Sequence, residues 1–305
     1  MAVPLTSATF TDALDVRFRD IAMGQYDKGA SRIGDFYNVE TSDRPTEQYS
    51  ELTPMGKFQE FLGAIPYDGA EQGYDVTATH REYALGIQIQ RKLWDDDQFG
   101  VIDEQFSQLG DSAFKTHEDH AAGVFTGSFS AANSFYSHTE NVALCSNSHT
   151  TTVPGVPTTT GFDNLITDAL SPAALTAAVI QFRQFKDAAG DWIDEQPDLL
   201  IIPVNLTDRA TEIIKTTKGL DAAEQNINVH SDRFRIIDWI RLTDSNDWWL
   251  ANQARMKKNL LWLWRKKLEL AKMECFDNII AKSRGYMRYS YLRRDWRWIL
   301  GSQVS

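Results

Sequence analysis

Between Trp94 and Phe129 the chain reads WDDDQFGVIDEQFSQLGDSAFKTHEDHAAGVFTGSF, and the fold turns on this stretch. Apolar residues fall at Phe99, Ile102, Phe106, Leu109, Ala113, Phe114, Ala121 and Phe125. They are mostly three or four apart, which makes one stripe of a helix with a 3.6-residue period. The spacing predicts a helix over 94–128. Asp95, Asp96 and Asp97 open it, offering a cap and negative charge where the helix dipole is positive. Gly110 and Gly123 are expected weak points that bend the helix or end it early.

Just upstream the period changes to two. Tyr83, Leu85, Ile87 and Ile89 are apolar, and the residues between them are small or polar, as in a strand with one covered face. Pro54, Gly56, Gly63, Pro66, Gly69 and Gly73 interrupt the preceding chain, so residues 45–93 are expected to form one long β-hairpin with a turn-rich tip. A lone hairpin is marginally stable and needs a partner surface, from its own body or a neighbouring subunit.

At 305 residues the chain can bury a sizeable core. Its 42% apolar and 11% aromatic content excludes wholesale disorder. No stretch approaches a membrane span, and Ala2–Phe10 lacks the basic start of a signal peptide, so a soluble protein is expected. Cys145 and Cys275 stand alone, without a CxxC, and support neither a disulfide framework nor a zinc cluster. Charge is uneven. Residues 251–305 hold 13 Lys+Arg against 4 Asp+Glu, and residues 1–250 hold 18 against 38, within a whole of −11. That balance argues against a protein whose main task is gripping nucleic acid. A basic tail facing an acidic body suits subunit contacts instead.

The remaining chain reads as α+β. Residues 130–160 are a Ser/Thr/Asn-rich connector with one short strand at Val142–Cys145. Leu170–Ala189 is a helix opened by Ser171-Pro172. Leu199–Val204 is a buried strand, a helix follows from Thr207 or Asp208 through Ile214, and Phe234–Leu242 and Trp248–Leu250 are strands. Leu260–Leu270 and Tyr286–Leu300 read as strands too, although LWLWRKKLELAKM fits a helix as well.

Few residues suggest chemistry. His117-Glu118-Asp119-His120 places two imidazoles among carboxylates, one arrangement for holding a metal, but without the HExxH spacing of a zinc protease. A solvated helix face is the plainer account. Cys145 and His149 fit a thiolate and base only if a third group orients the base, and none is visible. Tyr286–Trp298 interleaves aromatics with arginines, which suits either base stacking or a strand that pairs its arginines with carboxylates; the acidic body favours the strand. Phosphate-cradling and hydrolase-elbow motifs are absent.

The order of the motifs carries a resemblance. Asn141–His149 (NVALCSNSH), then Asn164-Leu165, a helix, Pro197–Pro203 (PDLLIIP), a helix near Asp208, Asp244–Leu250 and Tyr286–Trp298 together resemble the tailed-bacteriophage major capsid proteins of the HK97-like fold. That resemblance implies an N-terminal arm at 1–44, the extended loop at 45–93, and a peripheral domain at 94–159 with its spine helix at 94–128. It also implies an axial domain at 160–255 and C-terminal strands at 256–305 returning to the peripheral domain.

The function it implies is structural, with no catalytic residues, cofactor or metal. The chain would be a homo-oligomer forming hexameric and pentameric capsomers of an icosahedral virion, assembled in the host cytoplasm. It would meet a portal protein, and separate scaffold or decoration proteins where used, and enclose double-stranded DNA without reading its sequence. Phe58, Phe61, Tyr83, Leu85, Ile87, Asp95, Asp96 and Asp97 are the candidate inter-subunit contacts. The segment before the loop is too short for a fused scaffold. A crosslink from Lys57 to Asn252 or Asn259 is not selected by any motif. The rival readings are an encapsulin-like nanocompartment shell and, from another class, a metal-dependent enzyme using His117 and His120.

Overall fold

The computed structural model describes residues 11–58, 60, 61, 63, 65, 67, 69–90, 92, 93, 100–217, 227–275 and 280–304. The central helix, α3, runs Val101–Thr126 and buries Ile102, Phe106, Leu109, Ala113, Ala121 and Phe125 of the stripe read from the sequence; Phe114 is half-buried, and Phe99 lies outside the described residues. Asp95–Asp97 lie outside the described residues; in the first described turn, Asp103 and Glu104 supply the negative charge.

The helix passes through both glycines without ending. Gly110 is where the N-terminal helix α1 (Thr11–Lys28) crosses, and a Cβ there would lie 2.1 Å from the Ala22 carbonyl oxygen. The missing side chain is thus a means of close helix–helix approach. Phe18, stacked on Phe106 at 4.6 Å, and Ala22 complete the contact, and Arg17 pairs with Asp103. Residues 11–44, expected as an arm, therefore pack largely on their own chain. A short helix α2 (Ile33–Phe36) follows, and then β1 (Asn38–Thr41).

The chain next makes β2 (Thr46–Leu52), β3 (Gln72–Thr79) and β4 (Arg81–Gln90). The hairpin is β2–β3, and β3 also pairs β5 (Tyr136–His138). β4, expected as the returning arm of that hairpin, joins another sheet, ordered β1-β10-β11-β4, in which β10 is Leu260–Cys275 and β11 Ile280–Arg293. The switch is at His80, buried with its ring nitrogens 3.0 Å from Ser42 Oγ and 2.9 Å from Ser290 Oγ. That anchor turns the chain from one sheet into the next.

The four-stranded sheet has two unlike faces because side chains alternate along each strand. Ile87, Ile89 and Leu270 pack towards Phe18, Ile102 and Phe106 on the helices. Leu261, Leu263 and Leu292 point the other way, under Val76 and Ala78 of the three-stranded sheet. The alternative helical reading of 261–273 is thereby excluded, since β10 pairs β11 along its length.

A five-stranded sheet, ordered β6-β12-β9-β7-β8, forms the rest. Its strands are β6 (Leu165–Ile166), β7 (Leu199–Ile202), β8 (Arg235–Asp238), β9 (Trp248–Ala251) and β12 (Ile299–Ser302). Helices α4 (Pro172–Arg183) and α5 (Thr207–Lys215) belong to this part, and α6 (Gln253–Asn259) leads back to β10. Ser171 caps α4 by accepting from the Ala174 N–H at 3.1 Å, the cap that Ser171-Pro172 announced. β7, β9 and β12 are wholly buried.

Two sequence expectations are corrected here. Val142–Cys145 is not a strand; β5 lies earlier, at 136–138. Tyr286–Leu300 is not one strand: the chain turns at Asp295, whose carboxylate accepts from the Trp296 N–H at 2.7 Å, and β12 inserts between β6 and β9.

Candidate assembly surface

Thr53 closes the neck of the β2–β3 loop. Its N–H donates to the Glu71 carbonyl at 2.9 Å, and its hydroxyl accepts from the Glu71 N–H at 2.8 Å. Beyond that neck the described apolar side chains have no cover of their own. Phe58 is 109% exposed and Tyr67 93%, and Met55, Phe61 and Ile65 are exposed with them. Monomeric proteins rarely leave so many large apolar groups in water together, and such patches mark interaction sites.

The base of the same hairpin is firmly held. The Arg294 guanidinium sits 4.2 Å from the Tyr49 ring centroid. Arg297, 5% exposed, places Nη1 2.9 Å from Asp295 Oδ1 and 3.7 Å from Glu51 Oε1, while its Nε donates to the Lys186 carbonyl at 2.6 Å. Burial raises the Glu51 carboxyl above the usual carboxylate range, with Asp295 adding repulsion. Burial also pushes on Asp295, but Arg297, Arg255 and two backbone N–H groups prevail and hold it below that range. Arg255 extends the network to Glu195 at 2.8 Å. The arginines of the C-terminal run thus fasten an acidic hairpin to the body. Composition suggested such pairing, but the partners Tyr49 and Glu51 carried no sequence signal.

The eight candidate contact residues separate into three groups. Phe58, Phe61 and Leu85 (52% exposed) are open to a neighbour. Tyr83 and Ile87 are committed inward: Tyr83 stacks on Tyr289 at 5.0 Å and lies 4.6 Å from the His120 ring, and Ile87 packs against the α1–α3 cluster. Asp95, Asp96 and Asp97 fall outside the described residues.

The HEDH segment is not the wet face of the helix. His117 is 3% exposed and Glu118 1%. His117 Nδ1 donates to the Ala113 carbonyl at 3.1 Å, and burial lowers the ring's pKa to about 4. Glu118 accepts from the Ser31 hydroxyl at 2.5 Å, and burial raises its carboxyl. His120 Nδ1 lies 2.6 Å from the Tyr289 hydroxyl, and Asp119 pairs with Arg241. The segment wraps around the helix to meet α2, β10 and β11, a burial that helical period alone understated. Among the described residues no group of three His, Cys, Asp or Glu could hold a metal ion.

Cys145 and His149 are not a nucleophile and base. His149 Nδ1 is 3.0 Å from Glu140 Oε1, its Nε2 faces the Leu144 carbonyl and Asn164 Oδ1, and its ring stacks on Trp296 at 4.2 Å. Cys145 is buried, and burial pushes its thiol up to about 12, far from thiolate chemistry at neutral pH. Asn164 reinforces the hub by donating to the Leu144 and Ile299 carbonyls at 2.9 and 3.0 Å. The connector motif is thus a buried polar joint. Lys57 pairs with Asp191, while the Asn252 and Asn259 side chains bond the Gln196 and Arg255 carbonyls in their own chain.

The described residues thus form a mixed fold with a long central helix and a projecting hairpin. A family model described as phage capsid protein matches residues 73–301, and the chain belongs to that family. Its HK97-like fold is also that of solved capsids. The cyanophage P-SCSP1u capsid is similar with a TM-score of 0.60 at 12% identity, covering 90% of this chain and 88% of that one. The mature capsid of bacteriophage PhiM1 gives 0.60 at 11% identity, with 91% and 88% covered. A virus-like particle from Pyrococcus furiosus gives 0.50 at 10% identity, with 94% and 97% covered. No curated protein sequence matches this chain. Among the described residues no helix is long and apolar enough to cross a membrane.

Proposed function

We propose that this chain is the major capsid subunit, assembling into hexamers and pentamers that close an icosahedral head around double-stranded DNA. The supporting observation is the contrast within the hairpin: a base clamped by Arg294 and Arg297, and a tip carrying Phe58, Phe61 and Tyr67 into solvent. Burying each such side chain on a neighbour is worth roughly 1.5–3 kcal/mol. Repeated around a ring, identical contacts of this kind form a heterologous interface that closes.

Charge fits the same role. A net of −11 keeps phosphate from adhering to the shell, so enclosed DNA slides against it. Residues 160–255 would face the capsomer centre, where Val204, Ile227, Val229 and Ile240 expose further apolar surface. Portal, scaffold and decoration proteins would be the remaining partners. The role requires no catalysis.

Electron microscopy of the expressed protein tests the proposal. Capsomer rings or closed shells are expected; a stable monomer at high concentration would overturn it. Particles isolated from producing cells separate the encapsulin-like alternative by content: packaged duplex DNA supports the head, and a protein cargo without DNA the compartment.

A further inference from the structure

A cavity of about 300 Å³ opens where α1, β1, α3 and β10 meet, and Tyr26, Asp27, Val39, Phe114, His117 and Trp264 are among the residues that line it. Its size is at the lower end of ligand pockets, roughly 300–1,000 Å³. His117 and Trp264 are buried, while Asp27 and Val39 are exposed and mark the mouth. Three rings surround the imidazole of His117, with centroids 5.3 Å away at Tyr26, 5.2 Å at Phe114 and 5.9 Å at Trp264. Phe114 and Trp264 stand at 88° and 65° to it. Rings held at such angles cannot all turn their edges to the space they share, and an aromatic face carries partial negative charge.

The charge around the cavity has the same sign. Among the described residues no Lys or Arg lines it, and Asp27 does. Burial first, and then the carboxylates of Asp27 and Glu118, push the Tyr26 phenol up to about 12, so Tyr26 stays neutral while both acids act on it. The cavity adjoins the C-terminal end of α1, and helix C-termini favour positive charge. Arg32 and Arg241 act on Glu118 from outside the cavity, and Arg241 is paired with Asp119. His117 adds an acceptor: with Nδ1 donating to the Ala113 carbonyl, Nε2 keeps its lone pair, and the Glu118 Oε1 at 3.6 Å is an acceptor as well.

We infer that this cavity is a binding site for a primary alkylammonium ion, its charge among the rings of Tyr26, Phe114, His117 and Trp264 and one N–H offered to His117 Nε2. Ring faces attract such a cation, and the most so where water is excluded. A divalent metal ion fits less well, because among the described residues no three His, Cys, Asp or Glu converge. Bound there, the ion would tie α1 and β1 to α3 and β10, so binding would also stabilise the subunit. The site does not depend on the capsid reading.

Calorimetric titration of the full-length chain with n-butylammonium chloride, in excess sodium chloride to screen surface charge, tests the inference. Saturable binding at a single site per chain is expected. n-Butanol, similar in shape but uncharged, should bind about tenfold more weakly. Tetramethylammonium, charged but without an N–H, should also bind more weakly. Phe114→Leu removes one ring and should weaken butylammonium binding about tenfold, and Asp27→Asn, at an exposed position, about threefold. In thermal unfolding the wild-type chain should melt higher with butylammonium than with added sodium chloride of equal concentration, and Asp27→Asn should gain less. If Phe114→Leu fails to fold, Asp27→Asn and the two ligand comparisons carry the test. No saturable binding, equal affinity for n-butanol or tetramethylammonium, or binding unchanged in folded Phe114→Leu and in Asp27→Asn would each overturn the inference.

Discussion

Trp249 and Phe58 are both large aromatic residues, and the chain treats them in opposite ways. Trp249 lies in the five-stranded sheet at 1% exposure, donates its indole N–H to Ser128 Oγ at 3.0 Å and stacks on Phe129. Phe58, on the hairpin tip, is 109% exposed. The first serves the folding of one chain; the second is left to solvent by its own chain, and on the proposed function it meets another. Hydrophobicity alone does not tell them apart; the surrounding punctuation does, because Trp248–Ala251 is an unbroken apolar run while Phe58 sits among glycines and prolines.

The contrast breaks most visibly in the core. Trp249→Ala should cost about 3–5 kcal/mol in chemical denaturation of the unassembled subunit, since a buried ring leaves a cavity and the Ser128 hydroxyl loses the indole N–H it accepts from. An unchanged midpoint would show that the sheet is not the stabilising core.

Acid should act next, through His117. Its folded pKa is lowered to about 4, so the unfolded chain takes up the proton first as pH falls below about 6.5. The stability held above that pH is lost progressively down to about pH 4, by about 3 kcal/mol from this group. His117→Gln should flatten that part of the stability profile, and a profile unchanged by the variant would contradict it.

A smaller effect is expected at Gly110. An added methyl meets the backbone of α1 at Ala22, which cannot yield as a flexible side chain would. Gly110→Ala should therefore cost about 1–3 kcal/mol, although alanine is the better helix former. A stabilised variant would mean that α1 does not cross there.

The tip gives the smallest stability change and the sharpest separation. A Phe58→Ser, Phe61→Ser double variant should shift subunit stability by no more than about 0.5 kcal/mol while abolishing rings and shells in the microscope. A destabilised monomer would show that the tip packs on its own chain after all.

Much of the fold was legible because it is written in period. The α3 stripe, the Ser171-Pro172 start of α4, the LLII strand at 199–202 and the aromatic C-terminal strands all follow from local spacing and turn chemistry. Exposure at the candidate contact residues was legible only in part. Phe58 and Phe61 stand out because turn residues surround them. Tyr83 and Ile87 share the alternation of Leu85, but His120, Tyr289 and the α1–α3 cluster cover them, and no spacing rule reports which residues a distant element will cover.

By itself the sequence determined the α+β class, the long amphipathic helix, the uneven charge and an order of motifs that resembles that of phage capsid proteins, since each depends on neighbours within a turn or a strand. Only the tertiary structure decided that β4 leaves the hairpin for the sheet of β11, that Gly110 is a crossing point, that HEDH is buried, and that Arg294 and Arg297 hold Tyr49 and Glu51. The physical reason is common to all four: each rests on a contact between residues far apart in the chain, where burial and charge pairing outweigh local preference.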